Sequence, residues 1–502
     1  MCVSFCARVC DNEHSVRWAV HMLDLLLFRD GGDTHAVRES QRRRGADVGL
    51  VNEVIALDSA WRQAGHNAAK ARGTAKKLAA AAAAHRRGAV PPSDDAPSPE
   101  AVVAARTEAD VLDAAEAAAQ RELTARISQI GNLVHEHAPL AAAAASSVTA
   151  GTAITAALER LFAAGLAEQP PSGGWRPAGL GQRAHDAMLA RALHLAAARR
   201  YRRHAYPLLP SAERLDKLAK LMRQRGEVVG PRASCEGLSR EPLGLHACTT
   251  LQPAELPLGY ALVQPAEEAA EEAAGTGEVH EAVWVHEICA DDGSCWDGFD
   301  AMAALVGEVH RELLGDPLLG DPGGDAAAGL NLVWEEVPTS QLGHAEARAL
   351  VLRARCRRAA GSEERHGGDD DNGGSVDGVQ LSRVACLADF AARRLGVRCG
   401  SKAMGERGAH HVHTLRAQLC SPPSCLLALS SALAAAEGSA SGVDGGAAPT
   451  GACGARQALL EAVERICHLA ARACASARDR TRVEQRRAQT QTDTEIFAQT
   501  AK

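Results

Sequence analysis

The sharpest pattern in the chain is a run of apolar residues at Leu50, Val54, Leu57 and Trp61, stepping by four, three and four. That spacing puts four apolar side chains on one face of a helix. Asn52, Glu53, Asp58 and Arg62 fall on the other face, and Asp47 stands just ahead as an N-cap. Upstream, Gly31, Gly32 and Asp33 interrupt the chain before a shorter helix from about Val37 to Arg44, closed by Arg42, Arg43 and Arg44. Downstream, the long helix is predicted to continue through Arg87. The Pro-rich stretch Gly88 to Glu100 must then turn, because consecutive prolines cannot continue a helix. A second run follows at Leu123, Ile127, Ile130 and Val134, with the same steps. Two helices that each bury one stripe, joined by one turn, predict an antiparallel coiled-coil hairpin. At about 1.5 Å per residue, that arm extends some tens of ångströms from any globular body.

Past the hairpin the pattern changes. Residues 139–180 are rich in Ala, Gly and Pro and read as a linker, with a short helix around Ala153 to Leu166. A helical pattern runs from Gln182 to about His204, and short apolar runs such as Leu251 to Val263 then read as strands. Glu363 to Gly378 reads as a charged, disordered insertion, and Gly438 to Gly454 as a Gly/Ser/Ala insertion. Arg456 opens a last helix with Leu459, Val463, Ile466 and Ala470 on one face. The predicted organisation is a leader (1–21), an arm domain (22–138), the linker (139–180), a sheet domain with low-complexity insertions (181–478) and a polar tail (479–502). The fold class is α+β.

Charge refines this picture. The net charge is −7, so the whole chain is no general nucleic-acid binder. The span from Ser59 to Ser93, however, has no Asp or Glu and holds Arg62, Lys70, Arg72, Lys76, Lys77, Arg86 and Arg87. Such a local basic face suits phosphate contact. Aromatic residues make up only 3%, so the core rests on Leu, Val and Ala, and lower stability than usual for this size is expected. The 15 cysteines form no CxxC pair, which argues against a disulfide framework or zinc ribbon and for a reducing compartment. Cys2, Cys6 and Cys10 match no zinc spacing and are assigned no role. No apolar run reaches 18 residues, so no membrane-spanning helix is predicted.

GGDTHAVRESQRRRGADVGLVNEVIALDSAWR and, past the turn, ISQIGNLVHEHAP closely resemble the N-terminal tRNA-binding arm of seryl-tRNA synthetases. The resemblance begins at Met22. It continues as a class II synthetase body. Gln182 to Pro210 resembles motif 1, the dimer-forming helix and strand, with Pro210 as its proline. Leu251 to Val263 resembles the approach to motif 2, and Phe299 to Gly315 a later family helix. Asp389, Phe390, Arg393 and Arg394 match the family's Asp-Phe-Gln-Ala-Arg-Arg, with Ala391 where Gln is expected. His413 and Thr414 match the entry to motif 3. The resemblance implies ATP-dependent serylation of tRNA-Ser in the cytoplasm, by a homodimer using ATP and Mg²⁺, with no membrane or DNA partner. It also implies that Arg42, Arg43, Arg44, Arg62, Lys70, Arg72, Lys76, Lys77, Arg86 and Arg87 contact tRNA.

The chemistry needs cations on the triphosphate, because adenylate formation builds negative charge at phosphorus. From Glu241 to His310 there is no Lys or Arg, although motif 2 should lie there. The interval instead holds Glu267, Glu268, Glu271, Glu272, Glu278, Glu281, Glu287, Asp291 and Asp292. Aligned on Pro242, the family's serine-binding carboxylate falls on Arg240, with Glu241 one position off. If His413 to Leu433 is continuous, the γ-phosphate arginine of motif 3 is replaced by Ser424. If Gly438 to Gly454 is an insertion, Arg456 at a helix start supplies that arginine. The leading expectation is a homologue that keeps the arm and has lost much of its catalytic chemistry. The alternatives are an active ligase with an unrecognised motif 2, or a coding sequence disrupted at these places.

Overall fold

The computed structural model describes residues 23–87, 97–140, 150–171, 173–208, 210–224, 241–266, 280–291, 293–315, 330–356, 378–400, 410–440 and 456–469. The leader, the Pro-rich turn from 88 to 96, nearly all of both insertions, and the polar tail lie outside them.

Helix α1 (Thr34–Arg44) starts where the Asp33 carboxylate accepts from the Ala36 N–H at 2.8 Å, and stops at Gly45, whose φ of 69° is left-handed. Helix α2 (Gly49–Arg86) runs 38 residues, about 57 Å at 1.5 Å each. Val48, not Asp47, occupies its cap position, while Asp47 accepts from the Gly49 N–H at 2.7 Å. Helix α3 (Pro99–Ile127) is capped by Ser98 and packs along α2. The predicted hairpin is therefore present, and its interface changes along its length. At the root, Val51, Val54, Leu123, Ile127 and Ile130 are buried with Phe28 and the body residues Leu387 and Phe390. Farther out the buried apolar residues are alanines, Ala68, Ala71, Ala75 and Ala109 among the described residues, so each layer there contributes far less than the roughly 1.5–3 kcal/mol of a buried Val or Leu. Asp58 departs from its predicted exposed face. It is 2% exposed, and Arg29 and Arg62 hold it, with Nη2 and Nε at 2.7 and 3.0 Å from Arg29 and Nε at 3.0 Å from Arg62.

The body contains α4 (Ala150–Ala163), β1 (Ala167–Glu168), β2 (Arg176–Pro177), α5 (Leu180–Ala198), β3 (Arg202–His204), α6 (Ala212–Gln224), β4 (Thr250–Leu251), β5 (Leu258–Pro265), β6 (Glu281–Cys289), α7 (Ser294–Leu314), β7 (Leu330–Glu336), β8 (Arg348–Cys356), β9 (Val379–Ala388), α8 (Phe390–Leu395), β10 (Arg398–Cys399), β11 (His410–His411), β12 (His413–Cys420), α9 (Pro422–Ala440) and α10 (456–469). Seven strands form one sheet in the order β3-β5-β6-β12-β9-β8-β7. All its pairs are antiparallel except β3 with β5.

Side chains alternate across each strand, so the sheet has two distinct faces. Val283, Val285, Leu415, Ala417 and Leu419 meet the helices, including Phe299 of α7 and Leu426 of α9. The segment read as a linker is a correction. From α4 onward it belongs to this core, because Ala157, Leu161, Leu166 and Trp175 are each 0% exposed. The helix predicted from Gln182 to His204 also ends earlier, and its last residues instead form β3, the parallel edge strand. Among the described residues the opposite face is covered in two patches. Helix α6, α8 and Leu243 bury Tyr260 and Ile288 at one end, and Ala138 with Val337 and Leu342 covers Ala349, Val351 and Ala385 at the other.

Candidate functional site

Between those patches the open sheet face carries a polar row. Register puts His286 of β6 beside Tyr260 of β5 and Arg416 of β12, with Ala385 of β9 next. Glu241, just before the Pro242 turn, reaches this row, with its Oε2 3.5 Å from His286 Nδ1 and its Oε1 3.8 Å from Arg416 Nη1. Glu346 closes the far side, 3.5 Å from Arg416 Nη2 and 2.9 Å from Arg383 Nε. Glu346 is 1% exposed. Burial works to raise its pKa, but hydrogen bonds and charge from Arg383, charge from Arg416 and the Gly343 N–H outweigh it, and the net shift is downward. Trp284 stacks on His286 with ring centroids 6.4 Å apart. Gln264 Oε1, Trp284 Nε1 and His286 Nε2 are buried without a hydrogen-bond partner among the described residues. The row thus offers a carboxylate, an imidazole, a guanidinium and unsatisfied donors and acceptors. That set can hold a small zwitterion, and natural structures seldom leave such groups unsatisfied without a use.

The sequence argument from like charge needs correcting here. Glu287 does not face the row; it points to the helix side, where Tyr201 donates to it at 3.0 Å and burial raises its pKa. Among the described residues, Glu241 and Glu346 are the carboxylates at the polar row, and Glu335 lies farther out on the same face, paired with Arg353 and Arg355. Arg416 and Glu346 were not singled out by sequence reasoning. The alternation Thr414, Arg416, Gln418 on β12 was the available signal.

The motif 3 candidates also separate. Strand β12 runs into α9 without interruption, and Ser424, 5% exposed, donates to Ser421 Oγ at 3.1 Å in the first turn. Arg456 is exposed at the start of α10, whose Leu459, Val463 and Ile466 pack into the helical side of the sheet. Arg456 and the polar row therefore belong to opposite faces. His413 likewise faces the helical side, with Nδ1 3.4 Å from Cys295 Sγ, while Thr414 Oγ1 donates to Ala388 O at 3.4 Å. Pro210 is buried.

The arm's basic residues fall into three groups. Arg43 and Arg44 are corrections to the expected contact set. Arg43 donates to His135 O at 3.0 Å and Glu136 O at 3.2 Å. Arg44 donates to Asn132 O, Leu342 O and Gly343 O at 3.2, 3.3 and 3.2 Å. Buried backbone carbonyls need donors, and these two guanidiniums supply them where arm meets body. Asn132, in the quoted ISQIGNLVHEHAP, joins them by donating to Ala345 O and Leu387 O, each at 2.9 Å. Arg42, Arg62 and Arg72 are exposed but ion-paired with Glu39, Asp58 and Asp113. Lys70, Lys76, Lys77, Arg86 and Arg87 are exposed and form no ion pair among the described residues. Lys70 and Lys77, seven apart, share one face of α2. Asp389, Phe390, Arg393 and Arg394 lie where α8 meets the arm root; Arg393 bonds Asp389 at 2.7 Å and Asp24 at 3.2 Å, and Phe390 is 1% exposed.

Residues 22–134 match the family model of the seryl-tRNA synthetase N-terminal domain. A serine–tRNA ligase of Helianthus annuus is 24% identical over 431 residues, spanning 79% of this chain and 90% of that protein. The chain carries a seryl-tRNA synthetase N-terminal domain. A cytoplasmic serine–tRNA ligase of Arabidopsis thaliana is 32% identical over 121 residues, 24% of this chain and 26% of that protein. The fold of the chain is also that of two solved structures. Cytoplasmic serine–tRNA ligase from Naegleria fowleri, in complex with AMP, superposes with a TM-score of 0.53 at 21% identity, covering 82% of this chain and 94% of that one. Seryl-tRNA synthetase from Pyrococcus horikoshii, complexed with ATP, gives 0.54 at 16% identity, covering 81% and 93%. Among the described residues no helix is long and apolar enough to cross a membrane.

Proposed function

We propose that this protein binds tRNA-Ser through its arm and forms seryl-adenylate poorly. The observation that carries the reading is the state of the cations on the open sheet face. Strands β5 and β6 contribute none, Arg383 and Arg416 both engage Glu346, and Arg416 also faces Glu241. A guanidinium already facing two carboxylates must give up that pairing before it can stabilise a phosphate. Ser424 stands where the resemblance assigns the γ-phosphate arginine, and a serine hydroxyl supplies no positive charge. On the arm, by contrast, Lys70, Lys76 and Lys77 point into solvent unpaired. Mg²⁺ fits the described residues poorly. No group of three metal-ligating side chains occurs among them, and Glu241 and Glu346 are engaged by His286, Arg383 and Arg416. No step is assigned to it.

The test is serine-dependent ATP–pyrophosphate exchange by the full-length protein. Removing one preorganised charge typically lowers such a rate about a hundred- to a thousandfold, and exchange at least about a hundredfold below an active synthetase is expected. Exchange near the rate of an active synthetase, responding to serine and not threonine, sinks the proposal. It would favour the second reading, an active ligase in which Arg416 grips the α-phosphate. One observation favours that reading. The Arg416 ion pairs, at 3.5 and 3.8 Å, are longer than the about 2.7–2.9 Å of charge-assisted hydrogen bonds, so a phosphate could displace them. Arg416→Ala would then abolish exchange. By the same resemblance the protein is proposed to be a cytoplasmic homodimer through α5 and β3; a monomer mass by light scattering at micromolar concentration counts against the dimer.

A further inference from the structure

Where the arm leaves the body, a cavity of about 270 Å³ opens between α2, α3, the segment 23–29 and the body. One wall is apolar, with Leu23, Leu25, Leu123 and Ile127. The other carries four guanidiniums, Arg29, Arg393, Arg394 and Arg398, and one carboxylate, Asp24. Arg29 is held by Asp58, and Arg393 by Asp389 and Asp24. Arg398 is exposed and has no ion pair among the described residues. His411 also lines the cavity, and burial together with the charge of Arg393 holds its pKa below the usual imidazole range. Trp61 lines the same space, and its Nε1–H is buried without an acceptor among the described residues.

We propose that this cavity binds one nucleotide, its phosphate on Arg398 and its base against Trp61 and the leucines. An aromatic ring beside apolar walls suits a planar base, and the unsatisfied indole N–H asks for an acceptor of the kind a base or ribose carries. A guanidinium with no carboxylate partner suits the phosphate. The volume lies just under the about 300 Å³ at which ligand pockets usually begin, which limits the occupant to one nucleotide at most. The site is separate from the polar row on the sheet, and the inference holds whether or not the chain forms an adenylate. Two sources share this chemistry, a free nucleoside monophosphate and a single residue of an RNA strand.

The test is calorimetric titration of the full-length protein with AMP, CMP, GMP and UMP, beside inorganic phosphate and the four nucleosides. Saturable binding of a monophosphate is expected, with phosphate alone and nucleoside alone at least about tenfold weaker, as loss of a charge-assisted contact predicts. Arg398→Glu should weaken it about tenfold or more. Trp61→Phe, which keeps a ring and removes the N–H, should weaken it several-fold while the melting temperature stays near that of the parent protein. If none of the four monophosphates binds, the proposal fails. It fails equally if binding survives both Arg398→Glu and Trp61→Phe. A short single-stranded oligoribonucleotide that competes with the bound monophosphate identifies an RNA residue as the occupant; one that binds without competing identifies the free nucleotide.

Discussion

The arm and the open sheet face are both rich in charge, but they use it differently. On outer α2, Lys70, Lys76 and Lys77 stand in solvent with no carboxylate beside them. On the sheet, Arg383 and Arg416 lie against Glu346, which is 1% exposed. An exposed, unpaired cation keeps its attraction for a polyanion, and counterion release makes the contact productive. A half-buried, paired cation has already spent that attraction on the fold. The difference teaches that the number of cations near a site says little until their partners are known.

The joint between the two regions is where a single change should have the largest effect. Phe390 packs with Val51, Val54, Leu123 and Ile127 of the arm root. Phe390→Ala removes a buried ring there and should cost about 3–5 kcal/mol. Urea unfolding would read it as a lower midpoint at unchanged slope. A loss under about 1 kcal/mol would mean that arm and body are held independently, and the comparison would then concern two separate folding units.

The next change acts on the sheet alone. Glu346→Gln leaves Arg383 and Arg416 without their shared carboxylate and should cost about 1–3 kcal/mol near neutral pH. The sign with pH follows from the net downward shift of its pKa. A depressed carboxylate stabilises the fold above its unfolded pKa of about 4.3, and the contribution disappears as pH falls through the lower folded value. The gap between parent and variant should therefore be full above about pH 5 and close progressively in more acid solution. A gap independent of pH between 3 and 7 would show that the carboxylate charge contributes nothing there.

These two sites also show how far the sequence could be read. The stripe Leu50–Trp61 announced the long helix because helical periodicity is local and needs no partner to be recognised; of the stripe Leu123–Val134 only Leu123 and Ile127 are helical, since α3 ends at Ile127 and Ile130 and Val134 follow it in non-helical chain. The residue type at Asp58 pointed outward, yet Arg29, from a separate segment, pulls it in. Arg43 and Arg44 looked like phosphate contacts because they are basic and adjacent to the arm. Only the fold brings the carbonyls of Asn132, His135, Leu342 and Gly343 to them. The polar row was the least legible feature. Glu241, His286, Glu346 and Arg416 span 176 positions of chain; strand register puts His286 beside Arg416, and two loops bring in the carboxylates. The linker was misread because Ala-rich sequence looks weakly structured until Trp175 and Leu161 are seen inside the core.

The smallest expected effect on stability, and the most direct check of the comparison, is on the arm. Replacing Lys70, Arg72, Lys76 and Lys77 together by Ala removes charges from an exposed helix surface and adds a residue of high helix propensity. Stability should change little, within about 1 kcal/mol, because the ion pairs lost, Arg72 with Asp113 and Glu116, are at the surface. Binding of tRNA should respond instead. Each lost phosphate contact removes about 0.7–0.9 from the slope of log affinity against log salt. Three unpaired lysines should therefore lower the slope by about two to three, with Arg72 adding less because it must first leave Asp113. The matched control is Arg44→Ala, which frees the carbonyls of Asn132 and Gly343 and should destabilise the joint while leaving the salt slope unchanged. If the fourfold variant keeps the full slope and Arg44→Ala loses it, phosphate contact lies at the joint, and the exposed lysines are only solvated.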